Sequence, residues 1–139
     1  MQKRQLVVIA APGTTAVAAL REMEEKDIAF LPVLEGHKLV GVVSERDIAR
    51  GMILHSRTLV RDIMTTDVHT VAPETKVPDC LTTMYRARIR HLPVMAAERV
   101  AGVLSVRDLT GSLIERHERL LRRLHDERMT LLSPYPSSY

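Results

Sequence analysis

The chain has 139 residues, 45% apolar and 27% charged, the proportions of a folded globular protein, and it is long enough for one compact domain or two associated half-domains. Aromatic residues make up only 3%, which argues against the stacking platforms of single-strand nucleic-acid binders, and the lone cysteine, Cys80, excludes an internal disulfide framework and a cysteine-rich zinc module. The net charge of +3 is evenly spread, with 8 basic and 7 acidic residues over 1–59, 7 and 6 over 60–112, and 5 and 4 over 113–139, so each part nets +1 and no basic block stands out.

In chain order, a short β-rich run at 6–10 ends at Ala11-Pro12, where proline stops a strand ladder. Thr14 then caps a helix whose Val17, Leu20 and Met23 form one apolar stripe. The runs 30–34 and 39–43, joined by Glu35-Gly36-His37, read as a β-hairpin, and a second helix starts at Ser44. The same order then returns: a β-rich run at 68–71, Ala72-Pro73, a helix behind Thr75 carrying Val77, Leu81 and Met84, a hairpin at 92–95 and 100–104, and a helix from Ser105. Shifting the chain by 61 residues aligns 45 pairs from Val7/Val68 to Gly51/Ser112 with 15 identities and no gap, where chance gives about 3. The unit is β-α-β-β-α and occurs twice. Half of such a sheet cannot bury its apolar face alone, so the two units must pack together.

Gly41-Val42-Val43-Ser44-Glu45-Arg46-Asp47 and Gly102-Val103-Leu104-Ser105-Val106-Arg107-Asp108 resemble the Gly-x-x-Ser/Thr-x-x-Asp signature of cystathionine-β-synthase-type (CBS) domains. Two further marks of that family are matched by Arg61-Asp62-Ile63-Met64-Thr65 and by Arg90-His91-Leu92-Pro93-Val94. The chain is thus similar to a stand-alone tandem CBS pair, or Bateman module, over residues 6–112, except that nothing before Leu6 matches the Asp-Ile-Met lead of the second copy. The resemblance implies an α+β fold of two pseudo-symmetric CBS repeats packed sheet to sheet. Repeat 1 falls at 1–58, repeat 2 at 59–112, and a C-terminal helix and tail at 113–139.

Without any ligand, Ser44 followed by Asp47 is close to a capping box that stabilises a helix start by about 1 kcal/mol. A glycine-led strand running into a helix N-terminus also presents N–H groups to an anion, and an ionised Asp47 can accept two hydrogen bonds from vicinal ribose hydroxyls. The resemblance implies clefts between the repeats that take an adenine nucleotide, with AMP or NAD favoured over ADP, ATP or S-adenosylmethionine. It implies a stronger site formed by Ser44, Arg46, Asp47, Val68, His69, Thr70, Arg90 and His91, and a weaker one formed by Val8, Ala29, Phe30, Ser105, Arg107 and Asp108. Arg90 can grip a phosphate with two parallel hydrogen bonds, which Ala29 and Phe30 cannot.

Arg86 and Arg90 also suit a solvated helix end, where cations meet the dipole favourably. The histidines show no metal-ligand spacing, so no metal is expected, and Cys80 reads as packing within its helix. From Leu109 to about 129 one long helix is expected, with Leu113, Leu120, Leu124 and Leu131 on a seam and His117 in the remaining place. That seam is expected to pack on the module or across a homodimer axis, and the tail 133–139 to fray.

No apolar run approaches the roughly 20 residues of a membrane span, and the start of the chain lacks a signal-peptide core, so a cytoplasmic protein without membrane attachment is expected. No catalytic assembly is evident. The function expected is a regulatory, signal-transducing nucleotide sensor acting on an unknown protein. The alternative is an interaction or DNA-associated module working through the arginine-rich C-terminal helix.

Overall fold

The computed structural model describes residues 7–55 and 57–131, without the side chains of 53, 54 and 127–131. It divides into two units, Met1–Leu104 and Ser105–Tyr139. Leu6, the Leu131 side chain and the tail expected to fray lie outside what is described.

In the first unit, helix α1 (Ala16–Lys26) is followed by strands β1 (Phe30–Glu35) and β2 (Lys38–Ser44), then helices α2 (Glu45–Leu54) and α3 (Val60–Ile63). The second copy supplies α4 (Val77–Ala87), β3 (His91–Ala96) and β4 (Arg99–Ser105). The architecture is mixed α and β, with two antiparallel two-stranded sheets, β1-β2 and β3-β4. The leading runs make single parallel bridges rather than strands: Ala10 to Val33 and Val71 to Val94. Ala10 N–H donates to Pro32 O at 2.9 Å and Val71 N–H to Pro93 O at 3.1 Å, and the Ala-Pro that follows ends the ladder.

Thr14 and Thr75 do not cap the helices. Their hydroxyls accept from Ala11 N–H at 3.1 Å and Ala72 N–H at 3.0 Å, closing the turn at Ala-Pro. Thr15 caps α1 instead, accepting from Ala18 N–H, and α4 starts at Lys76 with proline in its first turn. The core of the first copy comprises Ala10, Ala16, Ala19, Met23, Leu31, Val33, Val43, Ile48 and Val60, all buried. Ala19, Met23 and Ile48 show why the helices form here: each buries one stripe of an amphipathic helix against the hairpin.

Residues 58–65, the lead of the second copy by sequence, are stitched to elements of the first. Ala16 N–H donates to Thr58 O at 2.8 Å, Val60 N–H to Thr14 O at 2.8 Å, and Val42 and Thr65 exchange two backbone hydrogen bonds of 2.9 and 2.8 Å. Gly41 permits this approach, because a Cβ there would lie 2.7 Å from Met64 Sδ and 2.9 Å from the Thr65 carbonyl oxygen. At the equivalent Gly102 no described atom comes within 4 Å.

The second unit is a single helix, α5 (Val106–Leu131), so the second helix of copy two and the expected C-terminal helix are continuous. Leu109 is buried, while Ile114, Leu120, Leu121 and Leu124 are half or more exposed. Glu115 pairs with Arg119 at 3.8 Å and Glu118 with Arg122 at 3.5 Å, alternating the sign of charge along the helix rather than building a basic face. No helix among the described residues is long and apolar enough to cross a membrane.

Candidate functional site

The junction of β2 and α2 contains the Ser44-x-x-Asp47 motif. Ser44 Oγ accepts from Asp47 N–H at 3.2 Å, and Asp47 Oδ2 accepts from Ser44 N–H at 3.0 Å. The capping box expected from spacing is therefore complete. It occupies one carboxylate oxygen and leaves Oδ1, with its lone pairs, for a ligand. Glu45 N–H donates to Ala29 O at 2.9 Å, so of the first three helical N–H groups only that of Arg46 is left to meet an anion. The dipole end is present, but with fewer open donors than the motif alone implies.

Around this junction lies a cleft of about 680 Å³, within the range of small-molecule sites. It draws together Ser44, Arg46 and Asp47 from the first copy with Val68, His69, Arg90 and His91 from the second. Thr70 is exposed and is not among the lining residues. Ala29 and Phe30, grouped by sequence with the other motif, line this same cleft. Phe30 stacks on His91, with ring centroids 4.8 Å apart and planes within 10°. Positions 30 and 91 are equivalent in the two copies, so the stack joins the starts of β1 and β3 at the seam between the halves.

Thr65, Asp67, Glu45 and Arg88 also line the cleft and were not expected there. Asp67 and Thr65 had a sequence signal in their place between the Asp62-Ile63-Met64 mark and Val68. Arg88 had none, since an arginine beyond a helix end is ordinarily a solvated residue. The lining holds three arginines (46, 88, 90) and three carboxylates (45, 47, 67), suiting a ligand that combines an anionic group with hydroxyls and a polar base.

The second motif repeats the same capping geometry. Asp108 N–H donates to Ser105 Oγ at 3.0 Å, and Asp108 Oδ2 accepts from Ser105 N–H at 3.2 Å. Arg107 is exposed on the first turn of α5, and Val8 is half-buried against the core of the first copy. Cys80 is buried within α4, and burial, reinforced by the neighbouring Asp79 carboxylate, pushes its thiol pKa upward. Among the described residues no three His, Cys, Asp or Glu side chains are grouped to hold a metal ion.

Comparison with known proteins adds an independent line. The CBS domain family matches residues 4–53 and again 60–115. CBSX3, a mitochondrial CBS domain-containing protein of Arabidopsis thaliana, is 34% identical over 120 residues, which span 80% of this chain and 58% of that protein. A solved CBS-domain protein from Burkholderia ambifaria superposes with a TM-score of 0.76 at 34% identity, covering 81% of this chain and 85% of that one. The structure of CBSX2 in complex with AMP matches with a TM-score of 0.72 at 26% identity, over 82% and 92% of the two chains.

Proposed function

The chain belongs to the CBS-domain family, carrying the domain twice, and from that premise we propose that it is a regulatory module that binds an adenine nucleotide in the cleft at Ser44 and Asp47. The observation that carries this reading is the convergence of both copies on one cleft: the Ser44/Asp47 capping box on one wall, and Arg90, His91 and the Val68-His69 segment on the other. Asp47 Oδ1 receives ribose hydroxyls, Arg90 and the Arg46 N–H receive the phosphate, and the Val68-His69 backbone edges the base. AMP bound to CBSX2 is a precedent in a similar protein. AMP or NAD fits this set better than S-adenosylmethionine, because the arginines favour a ligand with negative charge.

A ligand that touches both halves favours the arrangement it contacts better, and shifts the equilibrium only by that difference in affinity. Occupancy is thereby passed to a regulated protein. The Ser105/Asp108 motif serves a weaker second site.

Titration calorimetry with AMP on the full chain, Asp47→Ala and Asp108→Ala tests this. Asp47→Ala is expected to lower affinity about tenfold or more, with Asp108→Ala losing less, as the loss of a charge-assisted hydrogen bond predicts. Saturation at about 100 times the dissociation constant should also stabilise the fold by about 2.7 kcal/mol. A larger loss from Asp108→Ala reverses the ranking of the sites. Absence of any saturable binding of AMP or NAD ends the reading.

A further inference from the structure

Helices α1 and α4 occupy equivalent places in the two copies and end alike. Asp27 and Arg88, 61 residues apart, both adopt the left-handed conformation, with φ of 51° and 56°. Ile28 N–H donates to Met23 O at 2.9 Å, and Ile89 N–H to Met84 O at 3.0 Å. On this common backbone the charges are opposite. The window 21–29 carries four acidic and two basic residues, for a net of −2, whereas the equivalent 82–90 carries three arginines and no acid, for a net of +3.

Glu24, Glu25 and Asp27 are exposed, and Lys26 is engaged by Glu22 one turn back, so the carboxylates set the sign of that end. Arg86, Arg88 and Arg90 are exposed beside Tyr85, which is 86% exposed, and with Met84 and Ile89 they line a hollow of about 540 Å³.

The helix dipole accounts for cations at the end of α4, but carboxylates at the end of α1 oppose it. Both ends are satisfied together if each meets the other on a second molecule. We infer that the end of α4 in one copy of this chain docks onto the end of α1 in a second copy, making a head-to-tail dimer in which the contact occurs twice around a two-fold axis. A two-fold pairs unlike patches reciprocally, so one charge inversion specifies the orientation: like ends repel and unlike ends attract. Tyr85 and the arginines are the residue types enriched at the centres of such contacts. Arg86 lines the outer hollow and not the nucleotide cleft, so the docking surface and the ligand site can be altered separately.

Sedimentation equilibrium of the full chain tests the assignment, with circular dichroism to verify folding of each variant. Arg86→Glu and Glu25→Arg should each raise the dimer dissociation constant about tenfold or more, and high salt should do the same. The double charge reversal, Glu25→Arg with Arg86→Glu, should restore the dimer. AMP affinity measured on the same variants reports the cleft separately, so failure of the nucleotide reading and failure of this one are distinguishable. A wild-type chain that stays monomeric overturns the inference. So does a dimer indifferent to either single reversal, or a double reversal that fails to rescue. Saturable binding of an oligoglutamate peptide to monomeric wild type, lost in Arg86→Glu, overturns it in favour of another acidic protein as the occupant.

Discussion

Gly41 and Gly102 occupy equivalent positions, yet only Gly41 is shown pressed on by its surroundings. A Cβ at Gly41 would collide with the Thr65 carbonyl oxygen at 2.9 Å, a backbone atom held by its own hydrogen bond to Val42. Gly41→Ala is therefore expected to cost about 1–3 kcal/mol in urea unfolding, as overpacking does, with Gly102→Ala costing less than half of that. Equal losses would contradict the packing of residues 64–65 on β2. Cys80 gives a second residue-scale expectation. Its folded pKa is raised from its ordinary value of 9.0, first by burial and then by Asp79, so the native state holds its proton longer than the unfolded chain. That contribution to stability is complete below the unfolded pKa and is lost as pH rises through it toward the folded value. Cys80→Ser, which lacks a titrating thiol, should flatten the fall in melting temperature above about pH 9, and native alkylation should be slow until the fold opens. The Ser44 capping box was legible from a spacing of three residues because its bonds are local. The threonine caps were misjudged by one position because the same hydroxyl can close the Ala-Pro turn instead.

The two hairpins show how like elements diverge. Glu35 pairs with Lys38 across a turn whose Gly36 takes the positive φ of 63° at no steric cost. The equivalent turn between β3 and β4 places Ala97 and Glu98 at φ of 49° and 62°, where a Cβ is disfavoured. The paired substitution Ala97→Asn with Glu98→Gly puts the residue types that tolerate this geometry into the turn, and should stabilise the fold by about 1–2 kcal/mol, read from the denaturation midpoint. No gain would mean that this turn is not built as described. The hairpins and principal helices were readable because period-two and period-3.6 patterns are stored in neighbouring residues. Helix α3 was not, since four residues, Val60–Ile63, are too few to display a period, and they are held by bonds to Pro12, Thr14 and Ala16 that no local pattern records. The leading β runs were overread for a related reason: apolar side chains at 68–71 mark a place against the core, while only one residue of each run makes a bridge.

At the scale of the whole molecule, the candidate site exists because the two copies meet, and the Phe30–His91 stack lies on that seam. The duplication, the order of elements within each copy, the motif residues and the family they mark were all determined by the sequence alone, since each depends on identity and spacing along the chain. The charge inversion between 21–29 and 82–90 was also written there, but it acquired meaning only when the helix ends proved to share one backbone geometry. Only the tertiary structure decided that Ala29 and Phe30 line the same cleft as Ser44 and Asp47, that Thr70 stands outside it, and that Asp67 and Arg88 stand within it. It alone showed that residues 58–65 serve the first copy. Which residues surround a cleft depends on how two surfaces distant in sequence are set against each other by the burial of apolar area, and that force is non-directional and leaves no mark of partnership in the spacing of residues.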